Sequence, residues 1–192
     1  MTILGLRDVS RKQGSEMISS TSDRHTRRAV RRRTRPAIEI VIETPLWKRA
    51  RNVKALLRRA IATAAATVST TDGELAIVLT DDSAIRALNR DWRCKDTATN
   101  VLSFPTGETA QSRGTPRLLG DIVIAYETTE REARAEHKPF AHHLAHLAVH
   151  GFLHLAGYDH AAEDEAEAME TLEAAILARL DVPDPYSARD NA

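Results

Sequence analysis

Seven of the eight histidines lie between residues 137 and 160. His150 and His154 are four residues apart, so on one helix their imidazoles stand one turn apart on the same face, as two ligands of one metal must. Gly157 lets the chain turn back, and His160 can then approach the same point from outside the helix. Three neutral imidazoles with an open position are typical of a catalytic zinc. The segment HGFLHLAGYDH therefore predicts one zinc ion per chain, bound by His150, His154 and His160.

The remaining histidines of this segment leave alternatives open. His142 and His143 are compatible with hydrogen-bonded positions in the core. At 100° per residue, His146 lies within about 40° of the helix face that carries His150, so it is either a rival ligand or a hydrogen-bonding partner of one. The helical pair followed by a glycine turn favours His150, His154 and His160 as the ligands.

The same spacing matches the metzincin protease pattern HExxHxxGxxH at every position except one. Gly151 occupies the place of the glutamate. A zinc peptidase without that carboxylate lacks the group that takes the proton from the attacking water. The histidines therefore indicate a metal-dependent hydrolase, and Gly151 argues against a peptidase.

Four segments have the pattern of β-strands and five have that of helices. Ile38, Ile40 and Ile42 alternate as in a half-buried strand, and further strands are predicted at 74–80, 99–105 and 118–126. Helices are predicted from Pro45 to about 68, from a cap at 81, 82 or 83 to about 90, and over 127–137, 139–156 and 162–180. This order predicts an α/β (α+β) fold with a single mixed four-stranded sheet and about five helices. The metal site is expected at the end of a central helix.

The last predicted helix has a strongly acidic side. Apolar residues at helical spacing are predicted to face the core, namely Met169, Leu172, Ile176 and Leu180. Six acidic residues between Glu163 and Glu173 are predicted to face solvent.

The formal net charge of zero is a cancellation between two halves of the chain. Residues 1–60 hold 16 basic and 5 acidic side chains, and residues 61–192 hold 11 basic and 22 acidic side chains. Such an asymmetry indicates an anionic partner for the basic end. The segment RHTRRAVRRRTR at 24–35 holds seven arginines and little apolar surface. We therefore predict a disordered basic tail at 1–36, a folded domain at 37–183 and a flexible C-terminus at 184–192.

Three interpretations of the tail stay open. The first is an arm that neutralises phosphates of a nucleic acid. The second is an arginine-rich organelle transit peptide, and the third is a dispensable extension upstream of a later start at Met17.

The rest of the composition indicates a cytoplasmic protein with no membrane partner. The single Cys94 cannot form an internal disulfide. The twenty residues at 139–158 lack Asp, Glu, Lys and Arg, but five of them are histidines, which excludes a membrane helix. The first residues lack the apolar run of a signal peptide.

Three separated motifs resemble the bacterial YbeY family of single-strand-specific endoribonucleases, also called rRNA maturation factors. They are AHLAVHGFLHLAGYDH at 145–160, LNRDWRCKDTATNVLSFP at 88–105 and LGDIVIA at 119–125. The resemblance covers about residues 37–180 and implies a compact α/β zinc hydrolase. It also implies maturation of the 3′ end of 16S rRNA and ribosome quality control, with ribosomal RNA, the small ribosomal subunit and ribosome assembly factors as partners.

The resemblance places the family's functional arginine at Arg93, which can hold phosphate oxygens in a bidentate fork. Lys95 and the arginines of the first helix would extend a path for single-stranded RNA. Asn100 stands where aspartate is common in the family, so no proton chemistry is assigned to it. The residue that activates the nucleophile is not identified, and Asp159 is a candidate to orient a histidine.

Two other functions compete with the endoribonuclease. One is a zinc-dependent hydrolase of another substrate, such as a metzincin-like peptidase that lacks the usual glutamate. The other is a non-catalytic ribosome assembly factor with a structural zinc.

Shortening the chain to begin at Pro36 tests the predicted tail. We expect the zinc content to equal that of the full chain, because all three predicted ligands lie in the retained domain. The loss of RNA affinity, measured by filter binding at low salt, then gives the contribution of the arginine run. A shortened protein without zinc would contradict the predicted domain boundary.

Overall fold

The computed structural model describes residues 35–70, 72–107, 117–160 and 162–187. Residues 1–34 of the predicted tail and residues 188–192 of the predicted C-terminus lie outside the described residues. The division into tail, domain and C-terminus therefore stays a prediction. In the described part, no helix combines the length and the apolar character needed to cross a membrane.

The predicted mixed four-stranded sheet with five helices is confirmed. The strands are β1 (Ala37–Ile42), β2 (Glu74–Thr80), β3 (Val101–Pro105) and β4 (Leu118–Ala125). The helices are α1 (Val53–Thr67), α2 (Asp82–Arg93), α3 (Tyr126–Ala135), α4 (Phe140–Leu155) and α5 (Glu163–Ala178). The strand order is β1-β2-β4-β3, in which β1, β2 and β4 are parallel and the edge strand β3 is antiparallel to β4.

Apolar side chains cover both faces of the sheet. On one face, Leu75, Ile77 and Leu79 of β2 join the main core that α1, α4 and α5 complete. On the other face, Val78 packs in a smaller cluster with Ile85 of α2. Because β2 is buried on both faces, its sequence is an almost continuous apolar run.

The helix predicted from Pro45 is interrupted. Pro45–Arg49 form a short 3₁₀ helix, and Asn52 at a φ of 56° separates it from α1. Trp47 explains the interruption, because its buried indole donates a hydrogen bond to the Thr80 carbonyl at 2.9 Å and holds this turn against β2.

The helix predicted to end near residue 90 continues to Arg93. Cys94 adopts a left-handed conformation at a φ of 56°, and its N–H donates to the carbonyl of Arg90 at 3.0 Å. This αL cap places Arg93 in the last turn of α2.

The start of α2 is fixed to the start of α3. Asp82 Oδ1 accepts hydrogen bonds from the N–H of Thr128 at 3.0 Å and from its hydroxyl at 2.7 Å. In return, the Asp82 N–H donates to Glu127 at 3.0 Å. Each helix start thus supplies a carboxylate that accepts a hydrogen bond from a backbone N–H at the start of the other helix.

The central helix α4 lies close to the sheet at Gly151. A Cβ atom there would stand 2.9 Å from Ile122 Cγ2 of β4 and 3.1 Å from Ser103 Oγ of β3. A larger residue would displace the helix or the strands, and a glutamate at this position has no room. The helix face that carries Gly151 is therefore a packing face.

We expect Gly151→Glu, which restores the protease pattern, to destabilise the protein by about 3 kcal/mol or more, because it overpacks the interface and buries an unpaired carboxylate. Urea unfolding measures the change. Ala141→Glu, at an exposed position of α4, is the matched control and should stay within about 0.5 kcal/mol of the wild type. Equal stability of the two variants would contradict this description of the interface.

Candidate metal centre

The structure brings the three predicted histidines together. His150 and His154 stand in the last two turns of α4, and His160 follows after the chain turns at Gly157, which has a φ of 95°. One ring nitrogen from each of the three lies within 4.8 Å of the others. Within the described ranges, this is the one cluster of at least three His, Cys, Asp or Glu side chains with ligand atoms close enough to hold a metal ion.

Hydrogen bonds orient the two helical imidazoles. His150 Nδ1 lies 2.7 Å from Glu173 Oε1, and His154 Nδ1 lies 3.1 Å from the carbonyl oxygen of Tyr158. Because both partners are acceptors, each Nδ1 carries the proton, and the Nε2 atoms keep their lone pairs. These two Nε2 atoms face each other at 3.1 Å.

Two facing lone pairs fit a shared cation. In a tetrahedral site with Zn–N bonds of about 2.0–2.1 Å, two ligand nitrogens stand about 3.3–3.4 Å apart. The separation of the His150 and His154 Nε2 atoms is close to this distance. His160 is exposed beside them, as a ligand bordering an open coordination position must be.

Glu173 was predicted to face solvent, and that prediction is wrong. The residue is completely buried. Its Oε1 accepts a hydrogen bond from His150, and its Oε2 accepts one from His146 at 2.9 Å and one from the Tyr186 hydroxyl. Burial alone would raise the pKa of Glu173, but the hydrogen bonds from His146 and His150 outweigh it and lower the pKa to about 2. The side chain is therefore a carboxylate at neutral pH.

His146 and His143 hydrogen-bond to different carboxylates. His146 binds Glu173 and lies outside the group of three. His143 is buried, and its Nε2 donates to Glu132 at 2.9 Å, which agrees with the core alternative. Glu132 also accepts from the amide of Asn100 at 2.9 Å.

Arg93 lies on the same cleft as the three histidines. This cleft has a volume of about 450 Å³, and its lining includes Arg93, Asn100, His150, His154 and His160. The lining does not include Lys95, which is exposed two residues after Arg93.

The acidic neighbours of Arg93 are paired with other arginines. Asp96 accepts two hydrogen bonds of 2.8 Å from Arg86, and Asp91 accepts one of 3.0 Å from Arg90. Across the described residues, Arg93 makes no side-chain hydrogen bond or ion pair. Its guanidinium is thus available to an anion in the cleft.

Asp159 supports the backbone of the turn. Its Oδ1 accepts the N–H of His160 at 2.8 Å. It makes no hydrogen bond to an imidazole within the described part of the chain, so the candidate role in orienting a histidine ring falls to Glu173 instead.

A family model and several relatives with known names match this chain. Residues 42–181 match the family described as Endoribonuclease YbeY. Two proteins with that name, from two strains of Rhodopseudomonas palustris, are 56% identical over 161 residues and 57% identical over 159 residues. The alignments cover 82% and 81% of this chain and 94% and 84% of the relatives. A Thermotoga maritima protein solved in solution is 26% identical over 75% of this chain and 91% of its own, with a TM-score of 0.47.

Metal affinity should fall on acidification, because protons compete with the metal for the imidazole nitrogens. Burial lowers the pKa of His154, and so do charges on His150 and His160, so His154 stays neutral further into the acidic range than a free histidine. We expect bound metal to be retained at pH 7 and lost as the pH falls below about 6. Equilibrium dialysis followed by metal analysis at pH 7, 6 and 5 measures this loss, with His154→Ala as the control. Metal content unchanged down to pH 5 would contradict a site made of histidines.

Proposed function

This chain belongs to the endoribonuclease YbeY family, and from that membership we propose that it is a zinc-dependent endoribonuclease specific for single-stranded RNA. Its substrate is ribosomal RNA, and its task is the maturation of the 3′ end of 16S rRNA together with ribosome quality control. It acts in the cytoplasm on the small ribosomal subunit and alongside ribosome assembly factors.

One observation carries the proposed chemistry, namely that an unpaired arginine and three clustered histidines line one cleft. A phosphodiester in this cleft presents two anionic oxygens. The planar fork of Arg93 can bind both at once, which fixes the orientation of the phosphate relative to the histidines. Positioning of this kind is a large part of the catalysis of phosphoryl transfer.

His150, His154 and His160 are the proposed ligands of one zinc ion per chain. Three uncharged nitrogen donors with an open position suit this metal, and the fixed Nδ1 protons of His150 and His154 leave Nε2 as the donor atom. When bound, zinc supplies Lewis acidity that polarises a phosphoryl oxygen. The protein's own part is to hold the donor nitrogens in place and to keep Arg93 on the same cleft.

Lys95 is proposed to contact the RNA backbone outside the cleft. It is exposed directly after the left-handed Cys94 that ends α2, so it adds positive charge beside Arg93. Residues 37–192 carry 24 acidic and 17 basic side chains, and RNA binding must therefore depend on such local basic groups. A point charge at this place contributes affinity and no base specificity.

The catalytic role of Arg93 is tested by substitution. We expect Arg93→Ala to lower kcat/KM on single-stranded RNA by about 10- to 150-fold, because hydrogen bonds to a charged group contribute about 1.5 to 3 kcal/mol. Arg93→Lys should recover part of the loss, since it restores the charge without the fork. Zinc content should stay at one per chain in both variants. Arg90→Ala, which removes an arginine paired with Asp91 on the same helix, is the control and should cleave like the wild type.

The same variants decide the cellular function. In cells depleted of this protein, mapping of the 16S rRNA 3′ end should show unprocessed ends. Re-expression of the wild type should restore the mature end, and re-expression of Arg93→Ala should not. Full rescue by Arg93→Ala, with its zinc bound, would contradict catalysis and favour an assembly factor with a structural zinc.

A further inference from the structure

Among the residues that the structure describes, Glu173 is the one fully buried carboxylate that contacts the metal centre, and no step of the proposed chemistry uses it. It lies on α5, while the histidines that it contacts lie on α4. Burying a charge is costly unless it is paired, and apolar residues that replace every member of such a buried group often cause no loss of stability. The placement of this carboxylate therefore calls for an explanation beyond packing.

The contacts of Glu173 divide between its two oxygens. Oε1 is 2.7 Å from His150 Nδ1, and Oε2 is held by the His146 ring at 2.9 Å and by the Tyr186 hydroxyl. His146 and Tyr186 thus fix one end of the carboxylate, so that the other end has a single orientation toward His150.

An imidazole has two tautomers, and only one of them offers Nε2 as a lone pair. An acceptor at Nδ1 selects that tautomer and also fixes the rotation of the ring. A negative charge at this place further raises the donor strength of the opposite nitrogen. For His154 the acceptor at Nδ1 is the neutral carbonyl of Tyr158 at 3.1 Å, which adds no negative charge.

We propose that Glu173 is a positioning residue of the metal centre, which holds His150 in the tautomer and orientation that present Nε2 to the metal, and that His146 and Tyr186 hold Glu173 in turn. This inference rests on the proposed function for the identity of the ligands. It gives His146 a role as a support for the carboxylate.

The test measures zinc affinity and folding separately, on the full chain. Zinc dissociation constants come from competition with a chromogenic chelator at pH 7, and the stability of the metal-free protein comes from urea unfolding. We expect Glu173→Leu to bind zinc about 10- to 100-fold more weakly. Its metal-free stability should fall, because the imidazoles of His146 and His150 and the Tyr186 hydroxyl lose their acceptor, so zinc affinity is compared under conditions in which urea unfolding shows both proteins to be folded.

Glu173→Gln is the conservative variant. Its amide oxygen can still accept the Nδ1–H of His150, so zinc affinity should recover at least partly relative to Glu173→Leu. Glu167→Leu and Glu167→Gln make the same changes at an exposed position of α5 and should leave zinc affinity unchanged. Long-range ¹H–¹⁵N NMR of the zinc-bound protein should place the His150 proton on Nδ1 in the wild type.

The outcomes separate this inference from the proposed function. If the wild type binds no zinc, or binds it as tightly after His154→Ala, the proposed metal site itself is wrong. If the wild type binds zinc through its histidines and Glu173→Leu binds it equally well, only the positioning role is overturned. The role is also overturned if Glu173→Leu loses zinc affinity and Glu173→Gln restores none of it.

Discussion

The close approach of α4 to the sheet at Gly151 is the constraint on which the site depends. One face of this helix must lie within van der Waals contact of Ile122 and Ser103, which fixes the rotation of the helix about its own axis. With that rotation fixed, His146 and His150, separated by four residues, meet α5 through Glu173. The same contact explains why a carboxylate cannot occupy position 151, where the protease pattern has its general base. The packing contact of Gly151 and the histidine cleft thus meet at the same strand, because Ser103 borders both.

A second constraint is that the two carboxylates that contact the histidines, Glu132 and Glu173, are both satisfied by hydrogen bonds. Glu132 receives hydrogen bonds from His143 and Asn100, and Glu173 receives them from His146 and His150. Burial by itself would raise the pKa of both carboxyl groups, yet these hydrogen bonds keep the pKa of each below its usual value. Within the described part of the chain, the Arg93 guanidinium makes no such pair, and because it lines the cleft of the histidines it is available to an anionic ligand there.

Much of this arrangement could be predicted from sequence, because it rests on local spacing. The interval between His150 and His154, with a glycine after the helix, was enough to predict the cluster with His160. The strands followed from apolar runs. Two errors concern the bounds of helices. Trp47, through a tertiary hydrogen bond, holds a turn where a continuous helix was predicted. The local cap at the left-handed Cys94 ends α2 after Arg93, a few residues later than predicted.

Glu173 shows a different limit of sequence reasoning. It stands four residues after Met169 and three before Ile176, so helical spacing already places it on the buried face. It was nevertheless predicted to face solvent, because it is an acidic residue. Only the structure reveals the two histidines and the tyrosine that make its burial tolerable. The most direct test of the whole account is a crystal structure of the zinc-loaded protein with anomalous data at the zinc edge. We expect one zinc bonded to Nε2 of His150, to Nε2 of His154 and to His160, with Glu173 still hydrogen-bonded to Nδ1 of His150. A zinc bound through His146, or no zinc at these residues, would contradict it.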